Sequence, residues 1–271
     1  MAGELTIVGM GMIGASFALA ARAAFSRITV LDPDDAHVAH ALANGMADAR
    51  VSAVPASAEA VLLACPSDHI ADWVMELAAH PGTVFDCGSV KGAIIDELLA
   101  RAGGSPANYV PSHPIAGLEQ SGPAAASGDL FAGKLVILTP VGTTDPERLE
   151  RVRMWWAATG ASVELMDAHL HDAVYARTSH LPHLIAFAYL LGIGEDDLPH
   201  TGGGFRDFSR IGGSDPQMWT AIFDKNRSAL LAALDTFQGH VGDFRQALEA
   251  GDLDRCRALI AAARTRREHL P

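Results

Sequence analysis

Up to position 167 the apolar residues fall in short runs; beyond it they recur at helical spacing. Residues 5–8, 28–31, 60–64, 83–86, 135–139 and 162–165 are short, mostly apolar runs, several of them rich in β-branched residues. That is the pattern of strands buried on both faces. Helical stretches separate them, notably at about 68–79 and 146–159. Strands alternating with helices predict a mostly parallel sheet covered on both sides. After Asp167 the strand signals stop. Residues 168–191 read as one long helix, which Pro182 kinks or bounds. Ser214-Asp215-Pro216 starts another helix, apolar at helical spacing from Met218 to about Gln238. A last helix, about 252–267, carries Leu253, Cys256, Leu259, Ile260 and Ala263 on one face. The fold class expected is α/β, in two domains: 1–167, built on the sheet, and 168–271, all helical. An all-helical domain with such apolar faces completes its core by pairing with a second copy, so a homodimer through it is expected.

The 271 residues suit two domains, and 49% hydrophobic against 19% charged residues describes a well-buried globular chain. A net charge of −12 argues against nucleic acid, whose binders need a basic face, while leaving room for a locally basic pocket for a small anion. Three scattered cysteines, Cys65, Cys87 and Cys256, form neither a disulfide framework nor a C-x-x-C zinc pattern. The apolar stretch 5–21 is preceded by an acid rather than basic residues and is broken by three glycines, unlike a signal peptide. No stretch spans a bilayer unbroken. A cytoplasmic protein with no membrane partner is expected.

Gly9-Met10-Gly11-Met12-Ile13-Gly14 is a G-x-G-x-x-G turn between a strand and a helix, the context that gives this motif its meaning. Gly9 permits the tight turn, Gly11 lets backbone approach a pyrophosphate, and Gly14 lets helix and strand pack closely. The helix N-terminus then faces the phosphates with free N–H groups. Asp32 ends the second strand, near the spacing at which a carboxylate binds the ribose 2′-hydroxyl. Its charge would repel a 2′-phosphate and no arginine directly follows it, so NAD is expected rather than NADP. A Rossmann-type dinucleotide-binding domain follows, with Met12, Ile13, Cys65, Pro66 and Ser89 joining Gly9, Gly11, Gly14 and Asp32 around the cofactor. Strand ends in such sheets carry the ligands, and those ends hold Gly9, Asp32, Cys65, Ser89 and His113. His113 sits in a Pro- and Gly-bounded loop, Ser112-His113-Pro114-Ile115-Ala116-Gly117, that restricts its position and suits proton transfer near pH 7.

In the helical half, His180 and His183 share a helix face. No third ligand has metal-site spacing, so no metal is expected; the alternative reading of the pair is one histidine buried and hydrogen-bonded within the fold. Arg206 and Arg210 flank Asp207 after a run of three glycines, a tightly bent or mobile segment suited to holding a planar anion.

Gly9–Gly14, Gly88-Ser89-Val90-Lys91-Gly92, His113–Gly117, Ser179-His180-Leu181-Pro182-His183 and Phe205–Ile211 occur in the same order in the prephenate/arogenate dehydrogenases. The chain resembles that family along nearly its whole length. The resemblance implies an N-terminal dinucleotide domain, a helical dimerisation domain, and NAD-dependent oxidative decarboxylation of a cyclohexadienyl carboxylate in tyrosine biosynthesis. Prephenate is the substrate expected, with arogenate or a 4-amino-substituted prephenate as the alternative. It implies His113 as catalytic histidine, Ser89 as the serine near nicotinamide and substrate, and Arg210 on a substrate carboxylate with Ser179 and His183 beside it. His180 joins that substrate-binding group. Glu119, Asp207 and Trp219 match the polar network of the pocket, the tryptophan coming from the partner subunit. Leu118 departs from the family's usual small hydroxylic residue. The chain ends soon after its last helix, so control by a separate regulatory domain is not expected. Two other classes are an unrelated hydroxy-acid dehydrogenase, which would need a lysine where none lies between Lys134 and Lys225, and a non-enzymatic NAD sensor.

Overall fold

A computed structural model describes residues 2–117 and 120–270, less the side chain of Ala2; Glu119 and Leu118 lie outside them. Two compact units make up the chain, Met1–Asn226 and Arg227–Pro271.

The first unit opens with β1 (Ala2–Val8), α1 (Met12–Ala20), β2 (Phe25–Leu31), α2 (Asp35–Ala43), and the two-residue β3 (Ala49–Arg50). There follow β4 (Ala58–Leu63), α3 (Ile70–Glu76), β5 (Thr83–Asp86), α4 (Gly92–Ala102) and β6 (Tyr109–Val110). These six strands form one parallel sheet in the order β3-β2-β1-β4-β5-β6. That is the doubly wound order of dinucleotide-binding sheets. Side-chain alternation sorts the sheet's residues into two cores. Leu5, Ile7, Ala60, Leu62 and Phe85 face one way, onto Phe17 of α1 and Trp156. Val61, Leu63 and Val84 face the other, onto Ile70 and Val74 of α3 and Ile94 and Leu98 of α4. Each such large side chain contributes about 1.5–3 kcal/mol when fully buried.

The last strands depart from the sequence expectation. β8 (Leu135–Leu138) and β9 (Ser162–Leu165) do not extend the parallel sheet. They form a separate three-stranded sheet with β7 (Ser112–Pro114), which runs antiparallel to β8. His113 is therefore on a strand, paired with Ile137, and not in a loop. The proline next to it misled: Pro114 disrupts no ladder it must donate to when it ends a three-residue strand. α5 (Pro146–Ala158) joins β8 to β9, capped by Asp145 through the N–H groups of Glu147 and Arg148.

Asp167 accepts from His169 and Leu170 and so starts α6 (Ala168–Tyr175). Instead of kinking at Pro182, the chain widens one turn earlier. Ala176–His180 is a π-helical turn, in which the Leu181 N–H reaches back to the carbonyl of Ala176. α7 (Leu181–Leu190) then continues with Pro182 in its first turn, where a missing N–H does least harm. The glycine run opens a short helix, α8 (Gly203–Ser209), followed by a 3₁₀ turn at Arg210–Gly213. The single helix expected from 216 to 238 is broken. α9 (Pro216–Lys225) stops at Asn226, whose buried side chain donates to the Asp172 carbonyl and meets Nδ1 of His180. In the second unit α10 (Arg227–Glu249) turns at Gly251, φ +64°, into α11 (Leu253–Glu268). Leu253 and Ile260 on α11 are exposed in the single chain. Among the described residues no helix is long and apolar enough to cross a membrane.

Candidate active site

The carboxyl ends of β1, β2, β4 and β5 lie level, because Val8 pairs with Leu31 and Leu63, and Leu63 with Asp86. Residues that follow these ends emerge along one edge. At Gly9, φ is +93° and a Cβ would lie 2.6 Å from the Ala64 carbonyl oxygen; at Gly14 a Cβ would lie 2.3 Å from the Gly9 carbonyl. Neither position admits another residue without backbone movement. Gly11 differs: nothing among the described residues comes within 4 Å of a Cβ built there. The turn is thus closed on the sheet side and open where a pyrophosphate would lie. Asp32 is buried beside it and accepts from the N–H of Met10 (2.5 Å) and of Asp34 (2.7 Å). Its carboxylate is fixed at the end of β2, where a ribose would be met. Arg50, across on β3, donates to the Asp32 carbonyl (3.1 Å) and to Asp35 (2.7 Å), so an arginine does stand near this acid although none follows it in sequence. Met12 and Ile13, in the first turn of α1, are half-buried, as are Cys65 and Ser89, while Pro66 is exposed. Burial pushes the Cys65 thiol up to about 12, which removes it as a nucleophile.

Beyond β5 the site is tied together by one buried carboxylate. Asp86 receives the Nζ of Lys91, the Tyr109 hydroxyl (3.0 Å), and the N–H groups of Gly88 (2.9 Å) and Ser112 (2.8 Å). Lys91, itself fully buried, also donates to the Ser112 carbonyl (2.9 Å). The Ser112 hydroxyl donates to the Asp86 carbonyl and accepts from Trp156 Nε1 (3.2 Å). These bonds bolt the turn bearing Ser89 to the strand bearing His113. Sequence reasoning missed Asp86 and quoted Lys91 only as part of a motif.

It also missed what His113 leans on. Its Nδ1 lies 2.8 Å from Nε2 of His171, whose Nδ1 lies 2.8 Å from Oδ1 of Asp172. Asp172 in turn accepts from the N–H of Lys91 (2.8 Å) and of Ala93 (3.3 Å), at the start of α4. The His113 ring packs edge-on against Tyr175, 5.0 Å between centroids. Burial, then His171, Lys91 and His180, hold the His113 pKa well below its ordinary value, so the ring is neutral at pH 7. Burial lowers His171 as well, against the pull of Asp172. The one sequence signal for this pair was its His-Asp dipeptide in the first turns after Asp167.

The remaining candidates fall in two groups. His183, half-buried, stacks on Trp219 at 3.6 Å, and its Nδ1 meets the Ser179 carbonyl (2.9 Å). Trp219 thus lies on a histidine of its own chain. Its indole N–H is buried with no hydrogen-bond partner among the described residues. His180 points inward, 1% exposed, paired with Asn226, and burial brings its pKa down to about 4. Asp207 and Arg210, on α8 and the turn after it, are exposed. Glu119 lies outside the described residues.

Residues 16–165 match the family model described as prephenate dehydrogenase, nucleotide-binding domain, and residues 167–262 the model described as prephenate dehydrogenase, dimerization domain. The chain belongs to the prephenate dehydrogenase family. Among curated members it is 34% identical to the cyclohexadienyl dehydrogenase of Zymomonas mobilis, covering 93% of this chain and 90% of that protein. The crystal structure of prephenate dehydrogenase from Aquifex aeolicus, in complex with hydroxyphenyl propionate and NAD+, superposes with a TM-score of 0.87 at 33% identity. That match covers 99% of this chain and 98% of the other. Synechocystis arogenate dehydrogenase gives 0.79 at 26% identity, covering 98% and 100%. This family member is accordingly a dehydrogenase with a nucleotide-binding domain of the Rossmann type and a helical region of the dimerization class.

Proposed function

We propose that the chain carries out NAD-dependent oxidative decarboxylation of prephenate, as a cytoplasmic homodimer joined through a helical domain at 168–271, with 1–167 holding the cofactor. The observation that carries the reading is a neutral His113, fastened through Asp86 to the turn of Ser89, at the same sheet edge as the glycine turn. Gly9–Gly14, Asp32 and the N-terminus of α1 fit a dinucleotide, the open side of Gly11 above all. NAD, when bound, supplies the hydride acceptor.

Everything else falls to the protein's own side chains. Nδ1 of His113 faces His171, which leaves Nε2 for the substrate; there it takes the proton of the C4 hydroxyl as that carbon is oxidised. Loss of carbon dioxide then leaves an aromatic ring, which draws the reaction forward. Ser89 positions the hydroxyl between cofactor and His113. Arg210, with Ser179, His183 and the indole N–H of Trp219, supplies charge and donors for the carboxylates, and Asp207 completes the polar network beside Arg210. Of these, His183 is held by two others in the single chain, stacked on Trp219 and bonded to the Ser179 carbonyl.

Steady-state turnover of prephenate and arogenate with NAD and with NADP tests the reading. Prephenate with NAD should be the preferred pair, and His113→Asn should bind both ligands yet lose about 10²- to 10⁴-fold in kcat, the usual scale for a general base. Near-normal turnover by that variant would sink the assignment.

A further inference from the structure

We propose that His171 and Asp172 are positioning residues that fix the tautomer of His113, handing it a bare Nε2 with which to act as base. The inference rests on the proposed role of His113. It follows from counting donors along the chain of bonds. Both oxygens of Asp172 already accept backbone N–H groups, those of Lys91 and Ala93, so the carboxylate acts as an acceptor. Its third partner, Nδ1 of His171 at 2.8 Å, must therefore carry the hydrogen. A neutral imidazole has one N–H, so Nε2 of His171 is an acceptor, and Nδ1 of His113 at 2.8 Å must donate to it. The single hydrogen of His113 is thus spent on the inner side. Reversing any one assignment places two hydrogens or two lone pairs face to face inside the protein.

The relay is rigid for reasons visible in the fold. His171 is fully buried, Tyr175 covers both rings at 5.0 and 4.5 Å, and Asp172 is held by the start of α4. The charged and titratable groups acting on the two rings are Asp86 at the end of β5, Lys91 just before α4, Asp172 on α6 and His180 in the π turn. Lys91 and Asp86 are paired, which leaves Asp172 as the carboxylate aimed down the line of the two rings.

Nitrogen-15 spectra of the histidine rings in the full-length protein read the tautomer directly. Wild type should show His113 protonated at Nδ1 and bare at Nε2. His171→Leu removes the acceptor: His113 should move toward the Nε2–H form and kcat should fall about 10- to 100-fold, with KM and NAD affinity within about twofold. His171→Gln, whose carbonyl can accept the same hydrogen, should recover most of the loss. An Nε2–H form in wild type overturns the proposal, and that spectrum decides even if His171→Leu does not fold. An active enzyme sensitive to His113→Asn but indifferent to His171→Leu overturns the relay and leaves the function standing. A wild type inert toward prephenate and arogenate, yet with hydrogen on Nδ1 of His113, overturns the function and supports the relay.

Discussion

At the carboxyl edge of the large sheet, the Gly9–Gly14 turn is shaped by what glycine lacks, whereas the His113 pocket is shaped by buried polar side chains from distant segments. In the turn, two missing Cβ atoms let backbone run against backbone, and the third opens space for a ligand. In the pocket, Asp86, Lys91, Ser112, His171 and Asp172 are all buried and satisfy one another across up to 81 positions of sequence. A backbone-made site tolerates no added atom but depends on few partners. A side-chain-made site fails when any partner is removed, because the group left behind is buried without compensation.

The largest effect should come from breaking the pocket's hub. Asp86→Asn leaves Lys91 charged, fully buried and without a counter-charge, and turns an amide NH₂ toward two of its four former donors. A loss of about 3–5 kcal/mol is expected, the range for a buried pair broken on one side. Lys91→Met should cost less, because Asp86 keeps Gly88, Tyr109 and Ser112. Urea unfolding of the two variants checks the order; equal and small losses would mean that the hub does not hold this pocket together.

Acid should act on the pocket next, and the sign follows from burial. Desolvation is the first cause lowering His113, His171 and His180, the last to about 4. An unfolded histidine binds its proton below about 6.5. Between about 6.5 and 4 the unfolded chain therefore holds more protons than the folded one, so stability is full above that window and is lost as pH falls through it. His180 alone accounts for roughly 3 kcal/mol by the bottom of the window, at about 1.4 kcal/mol for each pKa unit. Denaturation midpoints measured from about pH 7 downward should decline, and His180→Gln should flatten the decline relative to wild type. Parallel curves for the two proteins would show that His180 accepts its proton in the folded state as easily as in the unfolded one.

Legibility divides along the same line. Gly9, Gly14 and the strands of the large sheet act locally: their spacing and apolar runs are written within about a dozen residues, and the parallel sheet with its helices follows from them. The small sheet was not legible, because β7 is three residues long and pairs with a strand well removed in sequence, His113 with Ile137, 24 positions on. Nor was the Asp86 hub. An acid at a strand end reads as a turn residue until Lys91, Tyr109 and Ser112 are seen to converge on it. His113 was picked out through its motif, but its reliance on His171 spans 58 positions and leaves no periodic trace. The break at Asn226 was hidden for the same reason, since only the buried His180 and the Asp172 carbonyl explain why a helix should end there.

The backbone-made half yields the smaller and sharper contrast. Gly14→Ala puts a methyl 2.3 Å from the Gly9 carbonyl and 3.1 Å from side-chain atoms of Ile7 and Ala64, so α1 must lift from β1. About 1–3 kcal/mol of stability should go, the cost of overpacking a filled site, together with NAD affinity, because the helix N-terminus moves. Gly11→Ala meets nothing within 4 Å, so its stability should stay within about 0.5 kcal/mol of wild type. NAD affinity should nevertheless fall about tenfold or more, near 1.4 kcal/mol, because the methyl occupies the approach of the pyrophosphate. Thermal melts with and without NAD separate the two. Wild type and Gly11→Ala should melt together without cofactor and apart with it, while Gly14→Ala should melt early in both. A Gly11→Ala protein that gains as much from NAD as wild type does would place the cofactor elsewhere, and would leave the open side of this turn without a purpose.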